Sequence, residues 1–108
     1  MALTITKTDT LPLTIKGTSV VLPSVYARLE TAFSPNGINI QIGMYFYENK
    51  AAFQSEEGVV KIKELKSLYN KEADLAADPA ESQTVELAHE KVKADLEAKG
   101  YTVAIVDL

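Results

Sequence analysis

Residues Ile38 to Phe46 read I-N-I-Q-I-G-M-Y-F, with Ile38, Ile40, Ile42, Met44 and Phe46 on one parity and Asn39, Gln41, Gly43 and Tyr45 on the other. Side chains of a strand alternate between its faces with a period of two, so this run turns one face to an apolar core and leaves the other polar and aromatic. It is a half-buried β-strand, and the rest of the chain has to supply its neighbours and its cover. Just before it, Val25, Ala27 and Leu29 share one parity while Tyr26, Arg28 and Glu30 share the other, and Ser34-Pro35-Asn36-Gly37 lies between the two runs. Proline presets φ and Asn-Gly accepts positive φ, so that cluster reads as a turn. The spacing predicts an antiparallel hairpin of residues 25–33 with 38–47.

Outward from the hairpin the pattern continues in shorter pieces. Leu3 and Ile5 alternate with threonines, and Leu11, Leu13 and Ile15 alternate with Pro12, Thr14 and Lys16. These are two short strand candidates, the second an edge or a strand start because Pro12 has no N–H to give a ladder. Glu48 to Phe53 reads as one helical turn or a loop, 59–65 as a strand opened by Gly58, and Lys66 to Ala77 as a loop with a helical turn. Asp78-Pro79-Ala80-Glu81 carries a helix start: Asp78 can accept from the first free N–H groups, Pro79 needs no donor there, and Glu81 can reach back. Val85, Ala88, Val92 and Leu96 then follow at spacings of three and four as one apolar stripe, with Glu90 beside Lys93 and Asp95 beside Lys99 on the solvated side. Gly100 is the expected left-handed terminator. Tyr101, Val103 and Ile105 alternate with Thr102, Ala104 and Val106, a last strand apolar on both parities and so expected inside the sheet.

The fold class this implies is α+β: a mainly antiparallel sheet of about five or six strands, one long C-terminal helix packed on it, and a final strand. Residues 1–108 fit a single domain. Apolar residues at 46% and charged residues at 24% are ordinary for a globular protein and too apolar for intrinsic disorder. With 15 acids against 11 bases the net charge is −4, and the one local basic cluster is Lys61, Lys63 and Lys66. That balance disfavours nucleic acid as a partner, because neutralising phosphates needs a concentrated positive face. The absence of cysteine excludes disulfides and thiolate chemistry. The opening M-A-L-T-I-T-K-T-D-T lacks the pattern of a secretion signal, and no apolar run approaches a membrane span, so a soluble protein with no membrane partner is expected.

The residues give little chemistry to work with. His89 is the single histidine, and catalysis would require an acid or nucleophile placed against it, which no spacing supplies. It reads as a structural or surface histidine. Glu86 and Glu90 flank it on one helix, but one turn offers too few ligands for a metal, and Glu72, Asp74 and Asp78 lack calcium-loop spacing. The serines lack a Gly-x-Ser-x-Gly elbow. No cofactor and no metal is implied, and the chain is expected not to be an enzyme. The more informative surface is Tyr26, Arg28, Gln41, Tyr45 and Tyr47, which the proposed hairpin places together on the face away from the aliphatic core. Aromatic residues and arginine are what interface centres favour. The competing reading is that a helix or another part of the same chain covers them, since cross-strand tyrosines also simply stabilise sheets.

Leu22-Pro23-Ser24-Val25-Tyr26-Ala27-Arg28-Leu29, the strand end Tyr45-Phe46-Tyr47 with Asn49-Lys50-Ala51-Ala52-Phe53, and the closing Gly100-Tyr101-Thr102-Val103 together form a pattern of short motifs. In this the chain resembles small proteins of tailed bacteriophages and prophages, most closely over residues 22–53. The resemblance implies a minor virion, tail or head-tail component with no catalytic residues, oligomeric in the assembly. Its partners would be other virion proteins or copies of itself, and its location the virion, assembled in the host cytoplasm. The alternative is a free small binding module or inhibitor acting on a host or cellular protein.

Overall fold

In chain order the computed structural model places β1 (Ala2–Thr6), β2 (Ser24–Phe33), β3 (Ile40–Tyr47), α1 (Lys50–Gln54), β4 (Leu68–Asn70), α2 (Val85–Lys99) and β5 (Thr102–Val106). It describes residues 1–33, 40–56, 58–65, 67–70 and 85–106. The hairpin forms as its alternation requires, β2 running antiparallel to β3 from Tyr26 opposite Tyr47 to Phe33 opposite Ile40. Its turn, 34–37, lies outside the described residues. The five strands stand in the order β4-β3-β2-β1-β5, with every pairing antiparallel. This is the expected α+β arrangement, a helix on an antiparallel sheet followed by a last strand.

One face of the sheet is the core face. Leu3 and Ile5 of β1 stand opposite Ala27 and Val25 of β2 and opposite Ile105 and Val103 of β5, and with Ile42, Met44 and Phe46 of β3 they form a continuous apolar layer. Helix α2 covers it over β5, β1 and β2, presenting Ala88, His89, Val92 and Leu96. Three of those four are the expected stripe. Val85 departs from it and is exposed, one turn too early to reach the sheet. On the outside Asp95 pairs with Lys99 at 3.1 Å as expected, while Lys93 reaches Glu97 at 2.9 Å rather than Glu90. The expected helix start at Asp78 to Glu81 lies outside the described residues.

Four expectations are corrected. Leu11 to Ile15 and 59–65 do not form strands of the sheet; they make isolated bridges, Thr14 with Val21, Ile15 with Ile62 and Phe46 with Val60. The physical reason is that each extended piece is cut short, the first by Pro12 and by a turn at Gly17 (φ +83), the second by the turn closed by Leu65 N–H on Ile62 O. What they do instead is carry Leu13, Ile62 and Leu65 into the same core. Residues 68–70, expected in a loop, form β4 opposite Gln41 to Gly43, a strand of three residues and therefore too short to leave a periodic trace. Finally, β5 is not inside the sheet but at its edge. Its apolar outer parity, Thr102, Ala104 and Val106, does not report burial on both faces, for Thr102 and Ala104 are exposed.

The end of α2 shows how local chemistry fixes the return into β5. Gly100 N–H donates to Glu97 O at 3.0 Å and Tyr101 N–H to Leu96 O at 3.1 Å, the paired bonds of a Schellman terminator, with Gly100 at φ +108. A Cβ at Gly100 would lie 2.9 Å from Leu11 Cδ1. Gly100→Ala is therefore expected to lower unfolding free energy by about 1–2 kcal/mol, since an L-residue is strained in the left-handed region. Urea denaturation followed by circular dichroism checks this.

Candidate functional site

The face away from α2 is where the sheet presents its unusual residues. Register sets Tyr26 opposite Tyr47, Arg28 opposite Tyr45 and Ala32 opposite Gln41, so Tyr26, Arg28, Gln41, Tyr45 and Tyr47 share this face by strand alternation. They do not share one environment. The face divides into a half closed by the chain itself and a half left open.

Helix α1 closes the first half. Asn49 caps it, its Oδ1 accepting from Ala52 N–H at 2.7 Å. That single turn lays Phe53 over the sheet, with its ring centroid 5.6 Å from Tyr26, 5.2 Å from Tyr47 in edge-on contact, and 4.7 Å from the Arg28 guanidinium. The aromatic and cation–π geometry is favourable. Tyr26 is left 2% exposed, and burial raises its phenol above the ordinary value, opposed by the Arg28 charge. For Tyr26, Arg28 and Tyr47, then, another part of the same chain is the cover. Tyr26 Oη and Arg28 Nε are buried there without a hydrogen-bond partner among the described residues.

The second half is open. Tyr45 is 44% exposed and its hydroxyl donates to Glu30 Oε2 at 2.8 Å; Gln41 is exposed beside it. Leu68 of β4, 61% exposed, and Val59, 51% exposed, stand around the same place. Together with Gly43 they line a cleft of about 670 Å³. The volume falls within the range of small-molecule sites. Sequence reading passed over Leu68, Val59 and Gly43. Leu68 sits in a stretch without periodicity, and Gly43 reads as one member of the polar parity, although glycine within a strand often marks a bulge or a place where something comes close.

His89 belongs to the core instead. It is 1% exposed, and its Nδ1 lies 2.7 Å from Val85 O. A carbonyl only accepts, so Nδ1 carries a proton and donates in this contact. Nε2 is buried with no hydrogen-bond partner among the described residues. Glu86 and Glu90 are exposed and so turn away from it. Among the described residues no three His, Asp or Glu side chains gather as a metal site, and no helix is long and apolar enough to cross a membrane.

Two consequences are measurable. Phe53→Ala should cost about 1–2 kcal/mol, less than a fully buried phenylalanine because Phe53 is half-buried. It should also open Tyr26 to acrylamide quenching, read by tyrosine fluorescence and urea denaturation. The Tyr45 phenol is held above its ordinary 10.0, first by the hydrogen bond to Glu30 and then by that carboxylate's charge. Its folded value exceeds the unfolded one, so its contribution to stability is present below pH 10 and is lost as pH rises through the folded value. Ultraviolet titration, differenced against Tyr45→Phe, should show this late phenol, and Glu30→Gln should move it back down.

No family model, curated protein or solved structure matches the chain, so what this face does must be argued from its own chemistry.

Proposed function

We propose that the chain is a non-enzymatic structural subunit of a larger assembly, docking through the open half of its tyrosine-bearing face and the adjoining sheet edge. The observation that carries this reading is the convergence of three exposed apolar side chains, Tyr45, Val59 and Leu68, on one cleft beside the edge strand β4. Scattered exposed apolar residues are normal, but a cluster around a concavity is the mark of a binding surface. Tyrosine suits the centre of such a surface, and an edge strand offers backbone groups that a partner strand can pair. The opposite edge, β5, reads T-V-A-I-V and carries neither charge nor proline to guard it, which favours copies of the same chain or neighbouring subunits as partners. The assembly itself is a tailed-bacteriophage particle, with this chain a minor virion, tail or head-tail component. That step rests on the resemblance over residues 22–53.

The test is mass spectrometry of gradient-purified particles from the source, following the tryptic stretch Leu29 to Lys50 against a major particle protein. A fixed ratio is expected. A folded Tyr45→Ala, Leu68→Ser variant should be incorporated about tenfold less, as truncating interface-centre side chains worth over about 1 kcal/mol each implies. Presence in the lysate with absence from particles would overturn the structural reading in favour of a free binding module or inhibitor.

A further inference from the structure

The cleft has a charged rim that runs against the sign of the whole chain. Lys16, Lys61 and Lys63 all line it, in a protein whose net charge is −4. Lys61 and Lys63 share one segment, and Lys16, distant in sequence, is brought to them by backbone bonds, Lys16 N–H to Lys61 O at 2.8 Å and Lys63 N–H to Thr14 O at 2.9 Å. Alternation then sorts their neighbours: Ile62 is buried and Val60 half-buried, while Lys61 and Lys63 are exposed. None of the three lysines is held in an ion pair with a described residue. The nearby carboxylates hydrogen-bond to neutral donors and keep their negative charge, and, against burial, the Thr14 bond and Lys63 help to hold the Glu64 carboxyl below its ordinary value. Glu64 accepts from Thr14 N–H at 2.6 Å, and Glu30 accepts from the Tyr45 hydroxyl at 2.8 Å. Among the described residues three lysines and no carboxylate line the cleft, so the charge on its lining is positive.

The walls and floor ask for something else. Tyr45, Val59 and Leu68 are apolar groups that gain by being covered. Gly43 leaves the floor bare, and a Cβ there would meet nothing closer than Glu30 O at 3.9 Å. The fold does not need that space empty. We infer that the cleft receives an extended acidic segment of a partner protein, in which carboxylates meet the lysine rim while alternate aliphatic side chains cover Tyr45, Val59 and Leu68. This deepens the docking reading above and rests on it. A strand-like segment fits because its side chains alternate in direction, so one parity can face lysines and the other the apolar wall. Nucleic acid fits less well, since its phosphates would satisfy the lysines and leave the apolar wall without a counterpart.

The probes are a fluorescein-labelled octapeptide of alternating glutamate and valine, its lysine and valine counterpart, and a labelled single-stranded oligothymidine, each titrated against the full chain by fluorescence anisotropy. The acidic peptide should bind and the basic one should not. Binding should fall about tenfold on charge reversal of the rim, Lys61→Glu with Lys63→Glu, and about as much in 0.5 M salt, where exposed charges are screened. Gly43→Leu should plug the cleft and abolish binding while Tm stays equal or rises, as the open space around Gly43 allows; if that variant fails to fold, the surface lysine pair alone decides. Equal binding of both peptides, indifference to the lysine reversal, absence of acidic-peptide binding, or tighter binding of the oligonucleotide would each overturn the inference. Particle incorporation separates the two levels. If Tyr45→Ala with Leu68→Ser is excluded from particles while Lys61→Glu with Lys63→Glu enters normally, docking stands and the acidic partner falls.

Discussion

The register of β2 against β3 is the constraint on which everything else in this molecule depends. With Ala27 opposite Phe46 and Leu29 opposite Met44, the large aliphatic side chains of the hairpin fall on one face and every tyrosine on the other. A slip of one residue would exchange the two faces entirely, exposing the isoleucines of β3 and burying Arg28 and Glu30. The cost of that exchange is what holds the hairpin in place. Once the register is set, α2 has only one face on which to lie, and β1 and β5 extend the same apolar layer through Leu3, Ile5, Val103 and Ile105.

The opposite face follows a different logic, because a polar and aromatic surface does not require a second layer. The chain covers half of it with the least structure that can do so, one helical turn capped by Asn49 and one ring, Phe53, set against Tyr26, Tyr47 and Arg28. Burying Arg28 Nε and Tyr26 Oη without partners among the described residues is costly. The ring contacts and apolar burial offset that cost. Tyr45 hydrogen-bonds to Glu30 and stays 44% exposed, so this half of the face lacks the cover that Phe53 gives the other.

How much of this was legible depended on whether a residue's role follows from its neighbours in sequence. The hairpin, the helix with Ala88, Val92 and Leu96, and the Gly100 terminator are local patterns, each written in about two turns or one strand, and the structure has them where the spacing put them. The bridges of Thr14, Ile15, Val60 and Ile62 are not local. Their alternation looked like strands, but whether an extended piece joins the main sheet or merely buttresses it is decided by partners far along the chain. Burial of His89 depends on which side of α2 meets the sheet: it lies next to the stripe at 85, 88, 92 and 96, and the helix turns that side inward, burying His89 and exposing Val85. The site was half legible. Tyrosines of one parity had to share a face, but only the fold tells that Phe53 covers three of the five chosen residues, and that Leu68, Val59 and Lys16 join Tyr45 at the open end.

The cleft itself is a consequence of how the core is filled. Beyond β4 the partner of β3 follows its edge as far as Ser67, whose carbonyl accepts from Met44 N–H at 2.7 Å, and at the other end Val60 N–H donates to Phe46 O at 2.8 Å. Between those two contacts the chain leaves the edge of the sheet so that Ile62 can bridge to Ile15 and enter the core with Leu65. A regular strand could not do this, because it would hold residues 61–65 beside β3 and leave the core face above Phe46 uncovered. The detour that completes the core opens a gap at Tyr45. By the same alternation that sends Ile62 inward, it turns Lys61 and Lys63 outward to the rim of that gap. The apolar wall and the basic rim are thus one structural choice seen from its two sides, and removing the detour to close the cleft would empty part of the core.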